Sequence, residues 1–220
     1  MNKNIHWINY LKAICLFAVY LSHCQAYYKY SMAASVLIRP FYVNAFFFIS
    51  GYLLFRTQLS ESVISQPYHD YIRNNGKLYL QNMFYKLVVP SVLFSTIEFF
   101  PSYMIRGREF GAVDFIVKTF GGCTYWFISA LVVSEVIIFI LLLTRRRNIF
   151  FYFITAWIIY MTGAFICNHN LVLIKQYPDF PWQYKEGLLA VVFLAGGGYI
   201  GVTKKILQSM LLSKVRLCCC

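Results

Sequence analysis

Lys12 and His23 stand out in the stretch NYLKAICLFAVYLSH, Asn9 to His23, because the rest of that run is largely apolar. At about 100° per residue, their separation of eleven residues is three turns plus roughly 20°. A helix therefore places them on nearly one face, about 16 Å apart along its axis. A neutral imidazole can take a proton from a hydroxyl near neutral pH. A lysine on the same face adds a cation that can hold or steer an anionic group. With Cys15, Val19 and Tyr27 they form a stripe that reads as a site reaching from one surface of a helix bundle towards the other. The plain alternatives are a structural histidine bonded to a neighbouring helix and a lysine whose ammonium snorkels to an interface.

The elements that must carry such a stripe follow from composition. Of 220 residues 60% are hydrophobic and 13% charged, and the mean hydropathy is +0.59. A soluble domain has about 25% charged residues, so this balance points to an integral membrane protein. Abundant Tyr and Phe suit headgroup-level positions. A net charge of +12 could suggest nucleic acid, but the basic residues fall mostly between apolar runs, where topology signals sit, so nucleic acid is discounted.

Apolar runs long enough to approach a membrane crossing predict an all-α, multi-pass transmembrane bundle of about six helices. The spans are Trp7 to Tyr27, Val36 to Phe55, Met83 to Ile105, Tyr125 to Thr144, Ile149 to Cys167 and the short Gly187 to Val202, with a kink expected at Pro90. Lys and Arg placement sets the orientation: Lys3, Arg56, Arg73, Lys77, Lys86, Arg145, Arg146, Arg147, Lys204, Lys205, Lys214 and Arg216 collect on one side. This predicts a cytoplasmic N-terminus, with Lys12 nearer the cytoplasm and His23 nearer the far leaflet. The opening "LSHC" resembles a lipoprotein cleavage box, but His23 is too bulky for the small-residue site, so a retained first helix is expected. The polar stretch 57–81 reads as a connector on the cytoplasmic surface, amphipathic around YHDYIRNNGKLYL. The loop 106–124 has an apolar centre.

Other polar residues carry weaker signals. Ser50 and Gly51 sit inside an aromatic wall, where a small pair permits close helix contact. Glu98 and Glu135 lie within spans and are expected to pair with Lys or Arg across the bundle. Glu135 is ten residues after Tyr125, deep enough to face protein; it reads as a structural carboxylate, or as a second acid/base group orienting a substrate. His6 and His69 look interfacial, and CNHN at 167–170 reads as a polar loop start. No zinc-ligand spacing appears, so no metal is expected. The seven cysteines include no CxxC pair, and Cys15, Cys24, Cys123 and Cys167 read as small buried thiols.

Several of these residues carry a family resemblance. WINYLKAI…LSH followed by FFFISGYLL resembles the opening of acyltransferase family 3, the multi-pass membrane acyltransferases that modify bacterial polysaccharides, lipopolysaccharide and related acceptors. In that family a basic residue, ten others and a histidine open the first helix, as Lys12 and His23 do here. An F-x-x-S-G-[YF] segment follows, matched by Phe47 to Tyr52. YKLVVP (85–90) resembles the basic-to-proline start of the third helix, YWFISAL (125–131) a Trp-Phe-Leu element, and GGGYIG (196–201) a later glycine-rich helix. The chain departs from the pattern in having Lys rather than Arg at position 12, Asn9 where an acid is common, and Met83-x-x-Lys86 where Arg-x-x-Arg is frequent.

The resemblance implies an O-acyltransferase that moves acetyl or a similar short acyl group from acyl-CoA, acetyl-CoA being the expected co-substrate, to a sugar hydroxyl of a polysaccharide or glycolipid. His23 would be the general base. Lys12 would bind or steer the donor's phosphate, with Lys86 as a second cation at the entrance. Ser50 and Glu135 would be supporting residues, Ser50 in helix contact rather than as nucleophile. No bound cofactor is implied, and the location would be the bacterial inner (plasma) membrane. Residues 1–205 would be the front part of the family's membrane domain, and 206–220, ending LCCC, a cytoplasmic tail that reads as truncated or out of frame. An inactive member of the same family and a small transporter using the Lys12–His23 face are the competing readings.

Overall fold

In hydrocarbon a backbone N–H or C=O without a partner costs several kcal/mol, so long apolar segments close their hydrogen bonds internally as helices. The computed structural model describes residues 6–28, 33–60, 63, 66–106, 111–144, 148–169, 171 and 181–218, with side chains described outside 25–28, 33–40, 102, 106 and 204–218. Among these residues the chain is all-α, in seven helices. They are α1 (His6–Tyr28), α2 (Ala33–Gln58), α3 (68–106), α4 (Ala112–Phe120), α5 (Trp126–Leu142), α6 (Ile149–Asn168) and α7 (Tyr184–Cys218). Each of the six apolar runs falls in one of these helices. Tyr68–Ile105, Ile149–Asn168 and Tyr184–Thr203 are long and apolar enough to cross a membrane, and Trp126–Leu142 is a shorter apolar helix. The arginine run 145–147 and the last two cysteines lie outside the described residues.

The core forms where α7 packs against α2, α5 and α6, around Phe55, Ile138, Leu142, Tyr152, Val191 and Leu194. Two glycines make the α2–α7 crossing close. A Cβ on Gly51 would strike the Leu194 carbonyl, and one on Gly197 would strike the Phe48 carbonyl. Backbones in such contact gain dispersion along both helices, the means by which membrane helices associate without a hydrophobic driving force. The FISGY and GGGYIG motifs thus meet each other. α1 is peripheral and packs chiefly on α2: Trp7 stands edge-on to Tyr52 at 5.2 Å, and Ile8 is buried against Ile49 and Tyr52.

The expected surface connector 57–81 is in part the first half of α3. Two π-helical stretches, Tyr71–Gly76 and Phe84–Val88, bound an α-helical stretch, Lys77–Met83. In an unbroken α-helix Tyr71 and Leu87 would lie about 160° apart. The wider π-turns take up that drift, so Tyr71 and Gly76 are buried and Tyr79, Met83 and Leu87 partly buried along one edge. Pro90 follows the second π-turn; lacking an N–H, it cannot bond the residue 86 carbonyl, and the preceding turn absorbs the lost bond.

The loop expected between spans three and four carries α4, which folds back on α3. Phe115 meets Phe99 edge-on at 5.0 Å, and the Tyr103 hydroxyl donates to Asp114 Oδ2 at 3.1 Å. Beyond it, Trp182 N–H donates to the Gly121 carbonyl at 2.7 Å, and the Ser129 hydroxyl donates to the Gly122 carbonyl at 2.6 Å. These bonds tie the start of α5 to the residues before α7.

Candidate active site

The proposed base and cation share a regular helix. α1 runs from His6 to Tyr28 without interruption, so the separation of about 16 Å between Lys12 and His23 stands. Both side chains are exposed, while Cys15 between them is buried against the bundle at 1% exposure. The anchor at Trp7 and Ile8 holds the first turn of α1 to the C-terminal half of α2. His23, fifteen residues beyond Ile8, lies about 22 Å farther along the axis, at the opposite end of the bundle from Arg56. Lys86 is exposed on the second π-turn of α3, and α3 is not among the helices packed closely on α1. Lys12, His23 and Lys86 are thus presented at the surface of the described bundle rather than gathered in its core.

The two supporting residues are brought together. Glu135 on α5 accepts a hydrogen bond from the Tyr79 hydroxyl at 2.9 Å and one from Ser50 on α2. Three helices therefore meet at one carboxyl group. The Tyr79 ring stacks on Phe139 at 5.1 Å, one turn along α5 from Glu135, so the phenol is held by its ring as well as by its hydroxyl. One step farther, buried Tyr71 donates to Gln58 Oε1 at 3.0 Å. This second link joins α3 to the end of α2.

Both intramembrane carboxylates were expected to pair with Lys or Arg, and both instead accept from tyrosine: Glu135 from Tyr79, and Glu98 from Tyr125 at 2.8 Å. The reason is placement. Arg56, Arg73, Lys77 and Lys86 are all exposed, whereas tyrosines carry an O–H inward on an apolar ring. Tyr79 was missed because it sits in a stretch that reads as polar connector. Its signal is the eight-residue repeat Tyr71–Tyr79, which gains its meaning once the π-turns are known.

Among the described residues no group of three or more His, Cys, Asp or Glu side chains could hold a metal ion. In the CNHN turn, the His169 ring lies 4.3 Å from that of Phe165. Cys15, Cys24, Cys123 and Cys167 form no disulfide among the described residues; Cys15 is buried and the others half-buried.

No curated protein and no solved structure matches the chain. The family described as an acyltransferase domain, acyltransferase family 3, matches residues 5–219. That match takes in all seven helices, the Lys12–His23 face and the Ser50–Glu135–Tyr79 cluster alike. The chain therefore belongs to acyltransferase family 3 and is a membrane acyltransferase.

Proposed function

We propose that the protein transfers an acetyl or similar short acyl group from acyl-CoA to a sugar hydroxyl of a cell-envelope polysaccharide or glycolipid, across the bacterial inner membrane. His23 takes the acceptor's hydroxyl proton as the oxygen attacks the thioester carbonyl. The C–S bond breaks, an ester forms, and the proton held by the imidazole returns to the departing thiolate. Lys12 attracts the donor's phosphates as a point charge from the cytoplasmic side, the side on which the Lys and Arg distribution leads us to expect the N-terminus. Lys86, midway along α3, is the second cation. The observation that carries this reading is the family's basic-residue–histidine pair on one face of an unbroken α1, within a domain match over residues 5–219.

The test is thioester turnover. Purified protein in vesicles, given acetyl-CoA and a glycan acceptor, is compared with His23→Ala at equal folding. Turnover lost in the variant supports the assignment; equal turnover in both removes His23 from the chemistry. A second reading, an inert member of the family, draws on the exposure of both Lys12 and His23, since an acyl transfer site works best with water excluded. Absence of turnover in the folded wild type, with a range of donors and acceptors, selects that reading.

A further inference from the structure

The first half of α3 has a second edge that the acyl-transfer reading does not use. Its inward edge is held by the Tyr71–Gln58 and Tyr79–Glu135 hydrogen bonds. Lys77 precedes Tyr79 by two residues, about 200° around the helix, so it points away from the bundle. Arg73, four residues earlier, is exposed as well. On either side of this cationic pair stand apolar residues that are also exposed: Ile72 at 41%, Leu78 at 56% and Leu80 at 40%. The bond between Tyr71 and Gln58 also brings the end of α2 alongside the inward edge. Asp70 and His69 are exposed nearby, leaving the edge net positive through Arg73 and Lys77.

Length places this edge. The helical segment Tyr68–Ile105 has 38 residues, about 57 Å of helix, against about 30 Å of hydrocarbon. Part of it must leave the apolar layer, and the charged end is the one that can. Cations flanked by exposed apolar side chains, at the level where a helix leaves hydrocarbon, match a bilayer's chemistry: acyl chains for the apolar residues and phosphates for the lysine and arginine.

We propose that the outward edge of 72–80, with Arg73 and Lys77 flanked by Ile72, Leu78 and Leu80, is a binding surface for anionic phospholipid headgroups. The ligand is the lipid phosphate, and the surface is independent of the acyl-transfer reading. The Glu135–Tyr79 bond is the pin that keeps this edge turned outward.

The test uses the full chain in detergent, incubated with equal amounts of phosphatidylglycerol and phosphatidylcholine, re-isolated, and assayed for retained lipid by mass spectrometry. The wild type is expected to retain phosphatidylglycerol preferentially. Arg73→Gln/Lys77→Gln should lose that preference by roughly fivefold per cation, while Arg73→Lys/Lys77→Arg keeps it and so separates charge from folding. Lys118→Gln, which removes one charge on α4, should change nothing. Equal retention of the two lipids by the wild type overturns the proposal, as does an unchanged preference in the Gln variant. Displacement of phosphatidylglycerol by millimolar inorganic phosphate or desulfo-coenzyme A also overturns it, because the edge would then serve small soluble phosphates.

Discussion

The Lys12–His23 face and the Ser50–Glu135–Tyr79 cluster contain similar chemistry under opposite conditions. The first lies on one peripheral helix, exposed, with its charged and titratable groups about 16 Å apart along α1. The second joins three helices at one carboxyl group, with a hydroxyl held 2.9 Å away. An exposed group that contributes little to the fold can be changed at small cost in stability, so its part is sought in chemistry. A carboxyl group that satisfies two hydroxyls inside the bundle cannot be changed without leaving polar atoms stranded. On the proposed function, the contrast separates a face that reacts from a cluster that holds helices in place.

The comparison breaks most decisively at His23. His23→Ala is expected to lower turnover by about 10²- to 10⁴-fold, with an unfolding free energy within about 0.5 kcal/mol of wild type, as for an exposed residue. A variant that unfolds early would move His23 into the structural class. Gly51→Val probes the crossing that supports both regions, because its Cβ would enter the Leu194 carbonyl. It should cost about 3 kcal/mol or more by overpacking, seen as loss of a cooperative thermal transition in detergent.

Glu135 and Tyr79 sharpen the other side. Glu135→Ala strands the Tyr79 and Ser50 hydroxyls and should destabilise by about 2 kcal/mol. Tyr79→Phe keeps the ring stack on Phe139 and should cost about 1 kcal/mol. If the double variant Glu135→Ala/Tyr79→Phe merely sums the two, the hydrogen bond contributes nothing. The smallest effect is expected at Lys12→Arg. The guanidinium keeps the charge and adds a planar fork for phosphate, so KM for acyl-CoA should fall by a few-fold at most with kcat unchanged. A rise in KM would argue against donor binding at this position.

Much of this architecture was legible from residue types. Each of the six apolar runs became a helix because hydrocarbon leaves the backbone little alternative. The small pair Ser50-Gly51 was readable as a helix contact, though not its partner, the glycine-rich 196–201. The Lys12–His23 face needed helix geometry alone. What stayed hidden was longer in range. Tyr79 sits among polar residues, and its alignment with Tyr71 and Leu87 depends on two π-turns that no propensity announces. Nor could sequence spacing show that Glu135 and Glu98 would be met by tyrosines instead of by the abundant cations.

The sequence by itself determined the helical class, the membrane setting and the shared face of Lys12 and His23, because these depend on hydropathy and on a fixed rotation per residue. Only the tertiary structure decided that Lys12 and His23 lie open while Glu135 is shared among α2, α3 and α5. That outcome depends on which helices cross where. The crossing is set by close backbone approach at Gly51 and Gly197 and by the register that two π-turns impose on α3, both properties of contacts between segments far apart in the chain.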